Sequence, residues 1–148
     1  MRTASRTTGR PRVAAAALAL VGAIALAGCT SQTGGAADVD TANRSGQEVT
    51  SPSGDHTGTL VDGPEQEGVA TLVVVVTGAD GEEVFRTSDA YSTRHGVAIA
   101  WQSDDDVLWV LSSDVGTSRI EEAPSGWEQT WLTPETRDDV PPEIATLR

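Results

Sequence analysis

The feature that most constrains the fold is a series of short apolar segments separated by turn residues. The longest covers residues 69–77, Val-Ala-Thr-Leu-Val-Val-Val-Val-Thr, and is apolar at successive positions. This composition is typical of a strand buried on both faces, because β-branched side chains fit a pleated sheet between two layers. Gly78-Ala79-Asp80-Gly81 follows as a turn and residues 83–87 return as a shorter strand, which predicts a hairpin.

No segment of the chain after residue 28 keeps a 3.6-residue apolar period over the length of a helix. Thr133-Pro134-Glu135 and Pro141-Pro142-Glu143 predict single helical turns, because proline suits the first helical position. The remaining apolar segments predict strands over residues 57–61, 97–102, 107–111, 118–122 and 127–132. We therefore expect a mainly β fold: a small antiparallel β-meander or sandwich-like domain, with short helical turns at the C-terminus.

The first 28 residues differ in composition from the rest. Residues 1–12 carry four arginines and no acid, and residues 13–27 form an unbroken apolar run. This pattern matches a secretory signal peptide, whereas a membrane-spanning helix needs about 20 apolar residues. The run closes in Leu26-Ala27-Gly28-Cys29.

These four residues fit a lipobox position by position, so the N-terminus resembles that of bacterial lipoproteins. The resemblance implies that the Cys29 thiol takes a diacylglycerol and that a signal peptidase cuts between Gly28 and Cys29. It leaves open whether Cys29 carries two acyl chains or three. Two chains anchor far more firmly than one, because each buried CH₂ contributes about 0.8 kcal/mol. We therefore expect a lipid-anchored protein on the extracytoplasmic face of the cell membrane.

The mature chain is strongly acidic. All 22 acids follow residue 28, against six arginines and no lysine, which leaves a net charge of −16. Phosphate backbones repel such a surface, so no nucleic-acid partner is expected. The composition resembles that of proteins from high-GC, actinobacterial-type genomes. With Cys29 acylated, no thiol remains for a disulfide, a metal site or a nucleophile.

Residues 30–52 are rich in Thr, Ser, Gly, Asp and Gln and have almost no large apolar side chain. A segment of this kind buries too little surface to fold. We therefore divide the chain into a signal peptide (1–28), a lipidated cysteine with a flexible, disordered tether (29–50) and a β domain (51–148).

Ser51-Pro52-Ser53-Gly54 resembles the turn of propeller-type strand repeats, and residues 51–62 and 103–114 have the same spacing. A propeller needs about four blades or more, and this chain has length for two three-stranded units. The resemblance therefore implies local β-meanders and not a propeller, and leaves open whether the two segments are a true repeat.

The two histidines, His56 and His95, belong to no recognisable catalytic motif. No Gly-x-Ser-x-Gly pattern surrounds a serine, and two histidines in separate loops do not make a zinc site. Asp104-Asp105-Asp106 lacks the alternate spacing and distal Glu of a calcium loop, and is typical of a solvated turn. We therefore expect no catalytic residue, no metal and no cofactor. The alternative is a small hydrolase or calcium-responsive domain using residues 88–106, in which His95 and Asp104–Asp106 meet in one cleft.

The loop over residues 88–96 is the candidate recognition surface. It is longer than a hairpin needs, and long loops carry function more often than strands do. The alternative is that its side chains only tie the loop to the domain. Trp127 and Trp131 share a strand face, and either bind a partner or join the core. We expect a non-enzymatic binding module for an envelope protein or glycan, with Tyr91, Arg94, His95, Trp127 and Trp131 as candidate contacts.

Overall fold

The computed structural model describes residues 39–148, so Gly28, Cys29 and the rest of the predicted signal peptide lie outside the described residues. Within 39–148 no helix is long and apolar enough to cross a membrane. The strands of this part are β1 (Glu48–Thr50), β2 (His56–Asp62), β3 (Thr71–Gly78), β4 (Glu83–Arg86), β5 (Tyr91–Ser92), β6 (Val97–Trp101), β7 (Leu108–Ser112), β8 (Gly116–Ala123) and β9 (Gly126–Trp131). A 3₁₀ turn (Arg137–Asp139) and a helix α1 (Pro142–Ala145) follow.

The strands form two antiparallel sheets in which neighbours in the chain are neighbours in space. Sheet 1 has the order β1-β2-β3-β4, with β5 also paired to β3, and sheet 2 has the order β6-β7-β8-β9. The predicted hairpin is confirmed as β3 and β4, with a register shift between Val76 and Thr77. The predicted mainly β fold, with its meanders and its short helical turns near the C-terminus, is confirmed.

The two sheets share one apolar core. Alternate residues of β2 and β3 face it, so Leu60 pairs with Val74 across the sheet and both are fully buried. Sheet 2 contributes Ile99, Val110 and Ile120, which are also fully buried. Gly58 lies where a β-carbon would come within 2.9 Å of Leu108 Cδ2. The bare backbone at Gly58 therefore lets β2 approach β7 closely.

The C-terminal segment covers the outer face of sheet 2. Trp109, Leu111 and Ala100 point away from the shared core and form a second cluster with Ile144 of α1. This explains why β7 is buried at every position. The helical turn predicted at Thr133 begins later, at Arg137, whereas the turn predicted at Pro141–Glu143 is present as α1.

The expected tether is wrong for its last part, because residues 42–50 belong to the β domain. Ala42 is fully buried and exchanges two backbone hydrogen bonds with Ile99, of 3.0 and 2.8 Å. Val49 is buried in β1, between two exposed neighbours. Backbone pairing and two apolar side chains hold this segment, and neither depends on the overall composition from which the tether was predicted.

We refer to the two ends of the domain by the residues at the two ends of β6, which are the Gly96 end and the Trp101 end. At the Trp101 end, Val39 and Asp40 share a recess with Trp101 and Gln102, so the chain enters the domain there. The turns before β2 and β7 also lie at this end. They contain the two segments whose spacing suggested a repeat, and each segment occupies the same place in its own meander. At the Gly96 end lie the β2–β3 loop, the β5–β6 loop and the β7–β8 turn.

Candidate functional site

Tyr91 is a core residue, and its predicted role as a surface contact is wrong. Its side chain is fully buried, and its hydroxyl accepts a hydrogen bond of 2.9 Å from Gln129 Nε2. The same amide donates to Ser118 Oγ at 2.8 Å. Burial raises the pKa of Tyr91 above its ordinary value, although the hydrogen bond from Gln129 acts in the opposite direction. A tyrosine in a sequence loop is therefore one of the side chains that join sheet 1 to sheet 2.

Trp127 and Trp131 are half-buried and pack against the shared core. The Trp127 ring meets the ring of His56 edge-on, with the centroids 4.8 Å apart, and that of Trp101 at 6.4 Å. Gln129, between the two tryptophans, uses its amide for Tyr91 and Ser118. The core interpretation of these tryptophans is therefore favoured, and they do not extend the loop that carries Arg94 and His95.

Arg94 and His95 line a cleft of about 620 Å³ at the Gly96 end. Three separate connections build it: the β2–β3 loop, the β5–β6 loop and the β7–β8 turn. We call this the three-loop cleft. Its lining residues are Gln66, Glu67, Val69, Thr71, Ser92, Arg94, His95 and Asp114. The sequence singled out only the β5–β6 loop, because the β2–β3 connection, residues 63–70, and the β7–β8 turn, residues 113–115, carry acids and no distinctive motif.

The β2–β3 loop reaches the cleft through a tight two-residue turn. Gln66 and Val69 exchange backbone hydrogen bonds of 3.0 and 2.8 Å around Glu67 and Gly68. Both central residues have positive φ, 51° at Glu67 and 76° at Gly68. Such a turn favours Asn or Gly at its first position, because Gly has no Cβ to crowd the backbone at positive φ and Asn can hydrogen-bond locally. Backbone strain of this kind is often found at functional sites.

Asp114 brings an ionised carboxylate to the cleft. Burial raises its pKa, but a hydrogen bond from Ser112 lowers it, and backbone N–H groups and the charge of His95 add to that effect. The net result is a pKa below the ordinary value. Asp114 therefore lies within electrostatic range of His95, and stays charged at neutral pH.

Arg94 brings an exposed positive charge to the same cleft. Within residues 39–148 its guanidinium forms no ion pair shorter than 4.0 Å, unlike those of Arg86 and Arg119. Its backbone N–H donates to Ser92 Oγ at 3.2 Å, which fixes the loop around it. With Glu67 and Asp114 on the opposing loops, the cleft carries charges of both signs.

The cleft does not have the geometry of a catalytic triad, although Ser92, His95 and Asp114 all line it. A triad needs a hydrogen bond from serine to histidine and another from histidine to the acid. Among the described residues His95 forms neither, and Ser92 Oγ accepts from the backbone N–H of Arg94. No group of three His, Cys, Asp or Glu in this part of the chain has the geometry of a metal site.

His95 and the Asp104–Asp106 turn lie beyond opposite ends of β6, so the structure does not place them in one cleft. Five extended residues separate the two ends by about 17 Å. The alternative hypothesis of a hydrolase or calcium-responsive domain requires that meeting, and therefore loses its geometric basis.

A second polar cluster, which the sequence analysis missed, lies at the Trp101 end. Asp106 accepts hydrogen bonds from Ser53 Oγ at 2.5 Å, from Ser53 N at 3.1 Å and from His56 Nδ1 at 3.0 Å. Burial raises the pKa of Asp106, but these hydrogen bonds lower it below the ordinary value. The equal spacing of the segments 51–62 and 103–114 was the available signal, since it gives the two turns equivalent places in their meanders.

Comparisons with known proteins add no family to this description. No protein-family model, no curated protein and no solved structure matches the chain. The residues of the cleft and the N-terminal motif are therefore the features that indicate a function.

Proposed function

We propose that this protein is a bacterial lipoprotein, held by acylated Cys29 on the extracytoplasmic face of the cell membrane. Its β domain binds an envelope protein or glycan and does not catalyse a reaction. The lipobox residues Leu26–Cys29 and the preceding apolar run support the anchor. The observation that carries the binding function is the three-loop cleft, which Arg94 and ionised Asp114 both line and where Arg94 has no ion-pair partner within residues 39–148.

The position of the cleft suits a membrane-anchored binding module. Val39 enters the domain at the Trp101 end, and the cleft lies at the Gly96 end. Nine residues separate Cys29 from Val39, which limits the reach to about 35 Å when fully extended. The proposed anchor therefore connects to the end of the domain opposite the cleft.

The binding function can be tested by site-specific crosslinking in intact cells. A photoreactive amino acid replaces Gln66, an exposed residue of the cleft lining, in the full chain, and the matched control replaces Asp105, an exposed residue at the Trp101 end. We expect an adduct from position 66 and none from position 105. Equal adducts from both positions, or none from position 66, would contradict a binding site in the cleft.

The anchor can be tested with Cys29→Ala and cell fractionation. Without the thiol, no diacylglycerol is attached, and the lipoprotein signal peptidase has no substrate. We expect a chain that keeps its leader, or one that is released from the membrane after cleavage elsewhere. A Cys29→Ala chain that is processed to residue 29 and still binds the membrane tightly would overturn the lipid anchor.

A further inference from the structure

We infer that the three-loop cleft selects a short peptide that carries both a free ammonium group and a free carboxylate. This inference rests on the proposed binding role of the cleft and goes beyond the envelope protein or glycan named there, because it gives the cleft a small ligand. It follows from the placement of opposite charges on separate loops around one cavity, with Arg94 on the β5–β6 loop and Glu67 on the β2–β3 loop.

Arg94 is the group that fits the carboxylate. An arginine offers paired N–H donors in a planar fork, which match the two oxygens of a carboxylate. No acid of residues 39–148 lies within 4.0 Å of its guanidinium, although the domain holds an excess of acids. Arg94 is exposed and lines the cleft, so its donors are available to a ligand there.

Glu67 and Asp114 are the groups that fit the ammonium. Both side chains line the cleft from connections other than the Arg94 loop. The carboxylate of Asp114 is kept ionised by its hydrogen bonds, and the strained turn holds Glu67 at the tip of its hairpin. Glu67 is exposed at the tip of its hairpin and lines the cleft, so its carboxylate is open to a ligand.

The charge balance argues against two other classes of ligand. One guanidinium and two carboxylates line the cleft besides the imidazole of His95, so a phosphorylated ligand would bring further negative charge towards Glu67 and Asp114. A neutral sugar is commonly held on an exposed aromatic ring, but among the described residues no aromatic ring other than that of His95 lines this cleft. The cavity volume lies within the range of about 300–1,000 Å³ that is usual for small-molecule sites, so a peptide of a few residues fits.

The test is an NMR chemical-shift titration of the ¹⁵N-labelled full chain, purified from membranes in detergent. The probes are trialanine, N-acetyl-trialanine and trialanine amide, which differ only in whether each end is charged. We expect trialanine to shift the signals of residues 65–69 and 92–96, and each blocked form to bind about tenfold more weakly or worse. Equal binding of the three peptides, or no shift with trialanine at millimolar concentration, would overturn the inference.

Two variants assign the ends of the peptide. Arg94→Gln should bind trialanine and its amide equally, and the double variant Glu67→Gln with Asp114→Asn should bind trialanine and its N-acetyl form equally. The matched control is Arg86→Gln, an exposed arginine paired with Glu83 outside the cleft, which should behave like the unchanged chain. If Arg94→Gln still prefers the free carboxylate, the assignment of Arg94 is wrong. A crosslinked partner at position 66 together with failed peptide titrations would support the proposed function and reject only this ligand class.

Discussion

The imidazole of His56 and the carboxylate of Asp106, fifty residues apart in the chain, meet with Nδ1 3.0 Å from Oδ2. His56 begins β2 of sheet 1, and Asp106 precedes β7 of sheet 2, so the contact joins the two sheets at the Trp101 end. The His56 ring also rests against Trp127. Because a carboxylate only accepts, Nδ1 of His56 carries the proton in this contact.

Replacing Asp106 by alanine should destabilise the domain by about 1–3 kcal/mol, because three hydrogen bonds from Ser53 and His56 lose their acceptor. The free energy of unfolding from urea titration measures this. Asp105→Ala is the matched control, since Asp105 is exposed and its side chain accepts no hydrogen bond within residues 39–148. A control loss as large as that of Asp106→Ala would show that the charge of the turn matters and not the contact.

Stability should fall in acid because of Asp106 and Asp114. Both have a lower pKa in the folded chain than in the unfolded chain, so the folded state binds fewer protons. Their contribution is present above the usual pKa of aspartate, about 3.9, and is lost as the pH falls through the lower folded pKa. The urea midpoint should therefore decrease from about pH 5 towards pH 2, and less steeply in Asp106→Ala. Parallel curves would contradict the contribution of Asp106.

Tyr91→Phe should cost about 1 kcal/mol of stability, because the phenol oxygen no longer accepts from Gln129. The ring still fills its place in the core, so the fold persists. Tyr91→Ala should cost about 3–5 kcal/mol, since it leaves a cavity between the sheets. Urea unfolding separates the two effects. If Tyr91→Phe reduced partner capture from position 66 without a loss of stability, the assignment of Tyr91 to the core would be wrong.

Ile144→Ala should destabilise the domain by about 2–4 kcal/mol, because Ile144 is fully buried against the outer face of sheet 2. Trp109 lies in the same cluster, so its fluorescence should change as the covering segment loosens. Ala145→Ser, at the exposed next position, is the control and should be nearly neutral. Equal effects of the two substitutions would show that the C-terminal segment adds no apolar cover.

Glu67→Asn should raise the free energy of unfolding by up to about 1 kcal/mol, because Asn adopts positive φ with less strain. Glu67→Ala removes the same carboxylate but keeps the strain, so it should give no such gain. Urea midpoints of the two variants measure the difference. Equal midpoints would mean that the turn is not strained at Glu67.

The local sequence pattern predicted most of the strands but not the start of the domain. The β-branched run over residues 69–77 predicts a central strand, and β3 is that strand, because apolar character on both faces requires cover on both sides. The start of the domain was misjudged, since Ala42 and Val49 join it by pairing with residues far along the chain. The apolar content of a segment does not predict a strand that is held mainly by its backbone hydrogen bonds.

The sequence likewise predicted some residues of the candidate site and not others. Arg94 and His95 were predictable, because a long loop with basic residues stands out in an acidic chain. Glu67 and Asp114 were not, since each is an ordinary acid in a hairpin turn until the strands bring the three connections to one end. The sequence placed Tyr91 in a loop, but the pairing of β5 with β3 directs its side chain into the core.

By itself, the sequence determined the mainly β architecture, the acidity of residues 29–148 and the Leu26–Cys29 motif that predicts an anchor at Cys29, because these depend on local order and composition. Only the tertiary structure decided which polar residues meet. Glu67, Arg94 and Asp114 line one cleft, and His56 meets Asp106, through strand pairings that span tens of residues. Such contacts depend on register and on how the sheets pack, and no local pattern in the chain carries that information.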